Sequence, residues 1–373
     1  MQLNVLFDYQ IFFHQEYGGI SRYVIELARR LGMHRDTAVN IYAGRHHNAH
    51  LDEAAGTLQV HGRRVPRHPR RLLRALGLLG NAAQFFGHAS RAAATHIHQT
   101  YYYDLLPPLG RATRILTVYD MTHELFPQHF AAAGRTTRAK RRAVARADHV
   151  ICISESTRDD LIRLFDVPPA KVTAIPLGLS STLAAYAGGR APRDRVHPRP
   201  YALFVGQRSG YKNFEALVSA WAATPAVRDH LDLLCFGGGP LAPSEIERLT
   251  AAGLAHRVHQ VGGSDAVLAA AYAQAEFHIY PSLYEGFGFP PLEAMALGCA
   301  VACSDTSSMP EVVGDAALMF DPRSVDAIAG ALDRLAGDAS LRRALRAAGI
   351  ERAAAVTWQR CADRTRELYL QTC

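Results

Sequence analysis

The chain has 373 residues, 49% of them hydrophobic and 20% charged, and carries a formal charge of +7. This composition excludes a disordered or fibrous protein, and the length fits two ordinary domains better than one. No uninterrupted apolar run is long enough to span a bilayer, and Met1 leads almost directly into the strand-like Leu3-Asn4-Val5-Leu6-Phe7 instead of a secretory leader. The expectation is a cytoplasmic protein, at most peripheral at the inner face of the cytoplasmic membrane.

Short apolar runs alternate with longer segments of helical period, the α/β pattern of parallel sheets covered by helices. A first domain is expected over 1–179. Its opening strand is followed by a loop, Gly18-Gly19, and a helix with Ile20, Val24, Leu27 and Leu31 on one face. Further strands are expected at 39–42, 95–98, 114–118 and 149–153, after which Ser154 caps a helix and 171–175 closes the domain.

A basic run, Arg63, Arg64, Arg67, Arg70, Arg71 and Arg74 with His61 and His68, precedes Leu72, Leu73, Leu76, Leu78, Leu79, Phe85 and Phe86. The charges suit anionic lipid, an acidic acceptor or nucleic acid, and the plainer reading is a solvated loop. No nucleic-acid partner is expected. The apolar positions fit a core-facing helix as well as a face laid on anionic lipid.

Residues 180–200 read as a linker, and a second domain over 201–354 carries strands at 201–205, 231–236, 257–261, 277–280, 300–304 and 317–320. A final segment, 355–373, reads as helix. Open α/β sheets present ligand loops at the carboxyl ends of their strands, so two such domains facing each other would bring those loops to one cleft. Of six cysteines, Cys152, Cys235, Cys299 and Cys303 lie in or beside strand-like runs as small hydrophobes, and Cys299/Cys303 lacks the second pair that zinc would need. Reduced thiols fit best.

The most informative stretch is Pro281-Ser282-Leu283-Tyr284-Glu285-Gly286-Phe287-Gly288-Phe289-Pro290-Pro291-Leu292-Glu293, a strand-to-helix junction. Gly286 and Gly288 let backbone approach a ligand, and free amides at the helix start favour its negative charge. Glu285 in the loop and Glu293 in the first helical turn flank that anion site, where carboxylates suit the hydroxyls of a sugar and a ribose. After the first strand of the second domain, Gly206-Gln207-Arg208-Ser209-Gly210-Tyr211-Lys212 offers two cations for one diphosphate, with two surface charges as the alternative. Gly18-Gly19 is a third candidate site, the helix after it aiming its amino terminus into the cleft, with a plain strand-to-helix turn as the alternative; Gly237-Gly238-Gly239-Pro240 reads as a tight turn, with a second reading as an approach to the nucleotide. Neither matches the dinucleotide fingerprint. In Thr117-Val118-Tyr119-Asp120-Met121-Thr122-His123-Glu124, Asp120 and His123 follow a strand and are candidate catalytic groups, His123 the weaker of them.

Together these residues resemble the retaining glycosyltransferases of family 4, which have the two-domain GT-B fold, and in particular bacterial O-antigen and exopolysaccharide mannosyltransferases. The likeness runs through Gly18-Gly19-Ile20-Ser21-Arg22-Tyr23, Val150-Ile151-Cys152-Ile153-Ser154-Glu155-Ser156, Arg208/Lys212, the glutamate motif, and Ser308-Met309-Pro310-Glu311-Val312. It implies that Arg208 and Lys212 hold the donor diphosphate, Glu285 meets the transferred sugar and Glu293 the ribose. Backbone at Gly286, Phe287, Gly288 and Phe289 would meet sugar and phosphate, and Gly19 the distal phosphate. It also implies a final helix crossing back to the first domain. Many relatives have a histidine where this chain has Tyr119; His123 is the candidate to replace it. The reaction implied is retaining transfer of a hexose, mannose from GDP-mannose by preference, to a lipid-linked or polysaccharide acceptor, with no metal or other cofactor. The alternatives are a sugar-nucleotide epimerase, a transferase with a small soluble acceptor, and a non-enzymatic sugar-nucleotide-binding module.

Overall fold

The computed structural model describes residues 2–54, 56–66, 71–103 and 110–373, the side chains of Glu53 and Arg71 aside. The chain divides into two compact units, residues 1–178 with 358–373, and 179–357.

The first unit is built on a seven-stranded sheet in the order β3-β2-β1-β4-β5-β6-β7, from β1 (Leu3–Phe7), β2 (Thr37–His46), β3 (Gln59–Arg64), β4 (His96–Gln99), β5 (Thr113–Val118), β6 (His149–Cys152) and β7 (Val172–Ala174). Every neighbouring pair is parallel. Its central strands are buried on both faces, hence their continuous apolar runs. The strand order reverses between β1 and β4, a crossover that opens a crevice at the carboxyl ends. The helix Gly19–Leu31 follows the glycine turn, and Ser154 caps the helix Glu155–Phe165 by accepting the Thr157 amide at 3.0 Å.

The basic run is not loop throughout. His61, Arg63 and Arg64 lie on β3, an edge strand, and Arg74 on the helix Arg71–Arg91; Arg67, His68 and Arg70 lie outside the described residues. That helix buries Phe85 but exposes Leu72, Leu73, Leu76, Leu79 and Phe86. Only part of the apolar set therefore faces the core.

The terminal helix Trp358–Gln371 belongs to the first unit. Trp358, Cys361, Ala362, Leu368 and Tyr369 are buried there, and the Trp358 ring lies 6.0 Å from that of Tyr23. Polar pairs lock the helix end: Tyr369 Oη with His98 Nδ1 at 2.6 Å, and Thr113 Oγ1 donating to the Thr372 carbonyl at 2.8 Å.

The second unit repeats the plan with six parallel strands in the order β10-β9-β8-β11-β12-β13: β8 (Tyr201–Val205), β9 (Asp232–Phe236), β10 (Val258–Val261), β11 (Phe277–Tyr280), β12 (Val301–Ser304) and β13 (Leu318–Phe320). Its crossover lies between β8 and β11. Phe204, Phe214, Trp221, Leu233, Phe277 and Leu332 are among the residues of one apolar core. Residues 179–200 pack with this unit, beginning with a short helix Ser181–Ala184 and tied by His197 Nε2 to Asp232 Oδ2 at 2.7 Å.

Candidate functional site

In the second unit the two sequence motifs follow β8 and β11, the strands on either side of the crossover, and there they meet. Lys212 Nζ donates to Glu285 Oε1 at 2.6 Å and to Tyr280 Oη at 3.0 Å, while the Tyr280 hydroxyl donates to the same Glu285 oxygen at 2.8 Å. Burial and the Glu285 charge hold the Tyr280 phenol far above its ordinary range, so it stays a donor. Glu285 is thus oriented by an ammonium and a phenol converging on one oxygen.

The loop carrying Glu285 is held from beneath by hydroxyls at and beyond the end of β12. Ser308 Oγ donates to the carbonyls of Glu285 at 2.9 Å and Phe287 at 2.7 Å, Ser304 Oγ donates to those of Ser282 and Tyr280, and Ser307 Oγ accepts the Glu285 amide at 3.0 Å. Gly288 has φ 112°, the left-handed region that favours glycine, and the flexible end of Met309 packs where a Cβ would stand. The helix Phe289–Ala296 follows directly; Pro290 and Pro291 in its first turn carry no N–H, so of its first three residues only Phe289 offers an amide. Glu293 falls just past the first turn of this helix, not within it. It is buried and accepts the Tyr272 hydroxyl at 3.4 Å.

Arg208 and Lys212 do not converge. Arg208 is buried and turned toward the loop after β9: Nε donates to Glu245 Oε1 at 2.9 Å, Nη1 to the Gly237 carbonyl at 2.9 Å, and Nη2 to those of Gly239 at 2.9 Å and Pro240 at 3.1 Å. Gly237, Gly238 and Gly239 all have positive φ, and a Cβ on Gly238 would stand 2.8 Å from Arg208 Nη1. The three glycines and the guanidinium therefore form one unit, a sharp turn wound around a cation. Glu245, 37 residues away in sequence, gave no signal of this role.

In the first unit, Gly18 caps and Gly19 begins the helix Gly19–Leu31, and a Cβ on Gly18 would strike the Gln15 side chain at 2.4 Å. Gly19 is exposed at that helix start. Tyr119 is buried with its hydroxyl donating to the Thr100 carbonyl at 3.0 Å, an internal brace. Asp120 Oδ1 accepts the Thr122 amide at 3.0 Å. His123 lies against Phe130, with ring centroids 4.4 Å apart, and burial lowers its pKa, which favours neutral imidazole. A fully buried Lys140 clamps this segment, donating to the Asp120 carbonyl at 2.8 Å and Glu124 Oε2 at 2.7 Å.

At the first unit's own crossover sits Asp8, which sequence reading passed over. Its Oδ1 accepts the Thr100 amide at 3.0 Å and the Gln10 amide at 3.2 Å, and also takes the Thr100 hydroxyl, whereas the buried Oδ2 has no partner. Full burial pushes its carboxyl up to about 7 against the hydrogen bonds from Thr100. Among the described residues the one cluster dense enough to resemble a metal site is His197, Asp232 and His259, at the amino ends of the strands. Asp232 there is already paired with Arg199 and Arg257. Among the described residues, no helix is long and apolar enough to cross a membrane.

Two family models match the chain: a glycosyl transferase 4-like domain over residues 18–178 and glycosyl transferases group 1 over residues 190–352. The O-antigen chain mannosyltransferase B of Escherichia coli is 28% identical over 372 residues, covering 94% of this chain and 95% of that protein. The MMP alpha-(1->4)-mannosyltransferase of Mycolicibacterium hassiacum is 31% identical over 235 residues, 62% of this chain and 56% of that protein. In fold, the sucrose-phosphate synthase of Thermosynechococcus elongatus superposes with a TM-score of 0.73 at 23% identity, covering 100% of this chain and 99% of the other. WaaG, a glycosyltransferase involved in lipopolysaccharide biosynthesis, does so with a TM-score of 0.71 at 14% identity, covering 98% and 99%. With both domain models matched in order and both sheets of the GT-B fold in place, the chain belongs to glycosyltransferase family 4 and is a glycosyltransferase.

Proposed function

We propose that this glycosyltransferase moves mannose from GDP-mannose, with retention of configuration, to a lipid-linked or polysaccharide acceptor in surface polysaccharide synthesis. The observation that carries the reading is the Lys212–Glu285–Tyr280 cluster at the crossover of the second unit, directly before the helix Phe289–Ala296. A cation beside the backbone amides of the loop up to Phe289 suits a diphosphate leaving group, and a fixed carboxylate suits the hydroxyls of the sugar next to it. The choice of mannose rests on the relatives named for mannosyl transfer.

In this reading the acceptor hydroxyl oxygen bonds to the anomeric carbon as the carbon–oxygen bond to the diphosphate breaks on the same face. The acceptor's proton passes to the leaving phosphate, giving GDP and the glycoside. Lys212 and the backbone amides of the loop up to Phe289 meet the charge that grows on the diphosphate, so the step needs no metal ion. Glu285 orders the sugar and Glu293 the ribose; Gly19 approaches the distal phosphate. Arg208 is a positioning residue, acting on the nucleotide through the glycine turn it holds. Asp120 and His123 are the first unit's candidate catalytic groups, His123 as the replacement for the family histidine. The exposed leucines of the helix Arg71–Arg91, beside the basic strand β3, rest on the anionic inner face of the cytoplasmic membrane.

Thermal shift against UDP-, GDP-, ADP- and dTDP-sugars tests the donor, because a ligand that binds only the folded state raises its stability. GDP-mannose should give the largest shift, reduced in Lys212→Met and unaffected by chelator. A larger shift with another nucleotide sugar discards mannose.

A further inference from the structure

The first unit contains an open cleft of about 420 Å³ between the end of β2, the end of β3 and the helix Arg71–Arg91. None of its lining residues is among those given a donor role. Arg45, Arg63 and Arg74 line it, and no acidic side chain among the described residues pairs with any of them. Their neighbour Arg64 shows the contrast, since it is bound to Asp52 at 2.7 Å and Glu16 at 3.7 Å. His47 also lines the cleft. It is buried, its Nδ1 donates to the Val65 carbonyl at 2.9 Å, and its Nε2 has no partner.

The remaining wall is apolar: Phe13, Val65, Leu73 and Leu76, the last two exposed. Three guanidiniums without an acidic partner among the described residues, and one unpartnered buried imidazole nitrogen, beside exposed leucines describe an amphiphile, with an anionic head and an apolar tail. A smaller cavity of about 340 Å³ shares His47, Val65 and Pro66 and reaches Glu16, two residues before Gly18 of the glycine turn. The cleft therefore leads toward the turn that begins the helix Gly19–Leu31.

From this we infer that the cleft is the receptor for the phosphate or diphosphate that joins the acceptor glycan to its lipid, with the first part of the apolar chain against Leu73 and Leu76. This rests on the transferase reading with a lipid-linked acceptor and assigns the acceptor's non-sugar part to named residues. Guanidiniums recognise phosphate by paired donors, and hydrogen bonds to charged groups contribute about 1.5–3 kcal/mol each.

The test is calorimetric binding of geranyl diphosphate to the full chain, with saturating GDP present to occupy the donor side. Wild type should bind it at least about 10-fold more tightly than it binds inorganic diphosphate, and Arg45→Gln/Arg63→Gln/Arg74→Gln should weaken binding about 10–100-fold. Among the described residues none of the three arginines has an ion-pair partner, so the variant should keep the wild-type melting temperature. Leu76→Ser should weaken geranyl diphosphate but leave inorganic diphosphate unchanged. Equal binding of geranyl diphosphate by the arginine variant and wild type would overturn the inference, as would inorganic diphosphate binding as tightly as the amphiphile. A variant that loses binding to phosphatidylglycerol vesicles but not to geranyl diphosphate would assign the arginines to bulk lipid and overturn it too. Binding is read without turnover, so failure of sugar transfer from GDP-mannose would count against the transferase reading alone.

Discussion

Lys212 and Glu285 face each other at 2.6 Å with both side chains mostly buried, so removing either leaves an uncompensated charge. Lys212→Met should lower kcat about 10²–10³-fold, the usual effect of deleting one donor that stabilises charge in the transition state, while donor KM changes less. Arg208→Lys should do the opposite. A lysine cannot satisfy Glu245 and three carbonyls together, so the 237–240 turn should loosen, donor KM should rise about 10-fold and the melting temperature fall, with kcat largely kept. Steady-state kinetics with circular dichroism melts separates the two; matching kcat losses in both variants would contradict this division. The sequence made both cations conspicuous because each follows a strand into a glycine-containing loop. It could not show that they part company, because Arg208's carboxylate lies far along the chain and its bonds go to backbone oxygens that any sequence supplies. Tyr280 escaped for a related reason: as the last residue of a buried strand it looked like core, and only its hydroxyl reaches the site.

Buried histidines stand out among the strands and their helices. Burial lowers His98 to about 3 and His96 and His278 to about 4, so each is neutral in the folded chain and protonated when unfolded below its ordinary value near 6.5. Their contribution to stability is present above about pH 6.5 and is lost as pH falls toward 4. Asp8 works the other way: with a folded value near 7 against 3.8, it favours folding at low pH and loses that contribution as pH rises to 7. Three histidines outweigh one carboxyl, so the melting temperature should fall between pH 6.5 and 4.5. Asp8→Asn should steepen that fall, and a shallower slope in this variant would contradict the assignment. At this scale the sequence was informative where periodicity was strong. Strands 201–205 and 277–280 have the bounds expected, since short apolar runs between turn signals leave little choice. β3 was missed because an edge strand reading Gln-Val-His-Gly-Arg-Arg buries almost nothing and has no apolar alternation to reveal it.

The chain leaves its first unit after residue 178 and returns at 358, so the first domain is completed only when the last helix arrives. Five buried apolar side chains on that helix, at about 1.5–3 kcal/mol each for the larger ones, are comparable with the whole stability of a domain. Truncation after residue 357 should therefore abolish the melting transition of the first unit and leave that of the second, as read by calorimetry; two intact transitions would contradict it. The paired α/β architecture was readable because alternating strands and helices recur along the whole length. The donor's base and sugar were not, because loop shape sets them and no single residue type marks them.

The central claim is tested most directly by incubating the purified chain with GDP-mannose and a lipid-linked glycan acceptor, then analysing the product by mass spectrometry and NMR. The account predicts one added hexose in α linkage, the configuration of the donor, formed in the presence of EDTA and lost in Lys212→Met. A β-linked product, an isomerised donor, or equal turnover by Lys212→Met would contradict it.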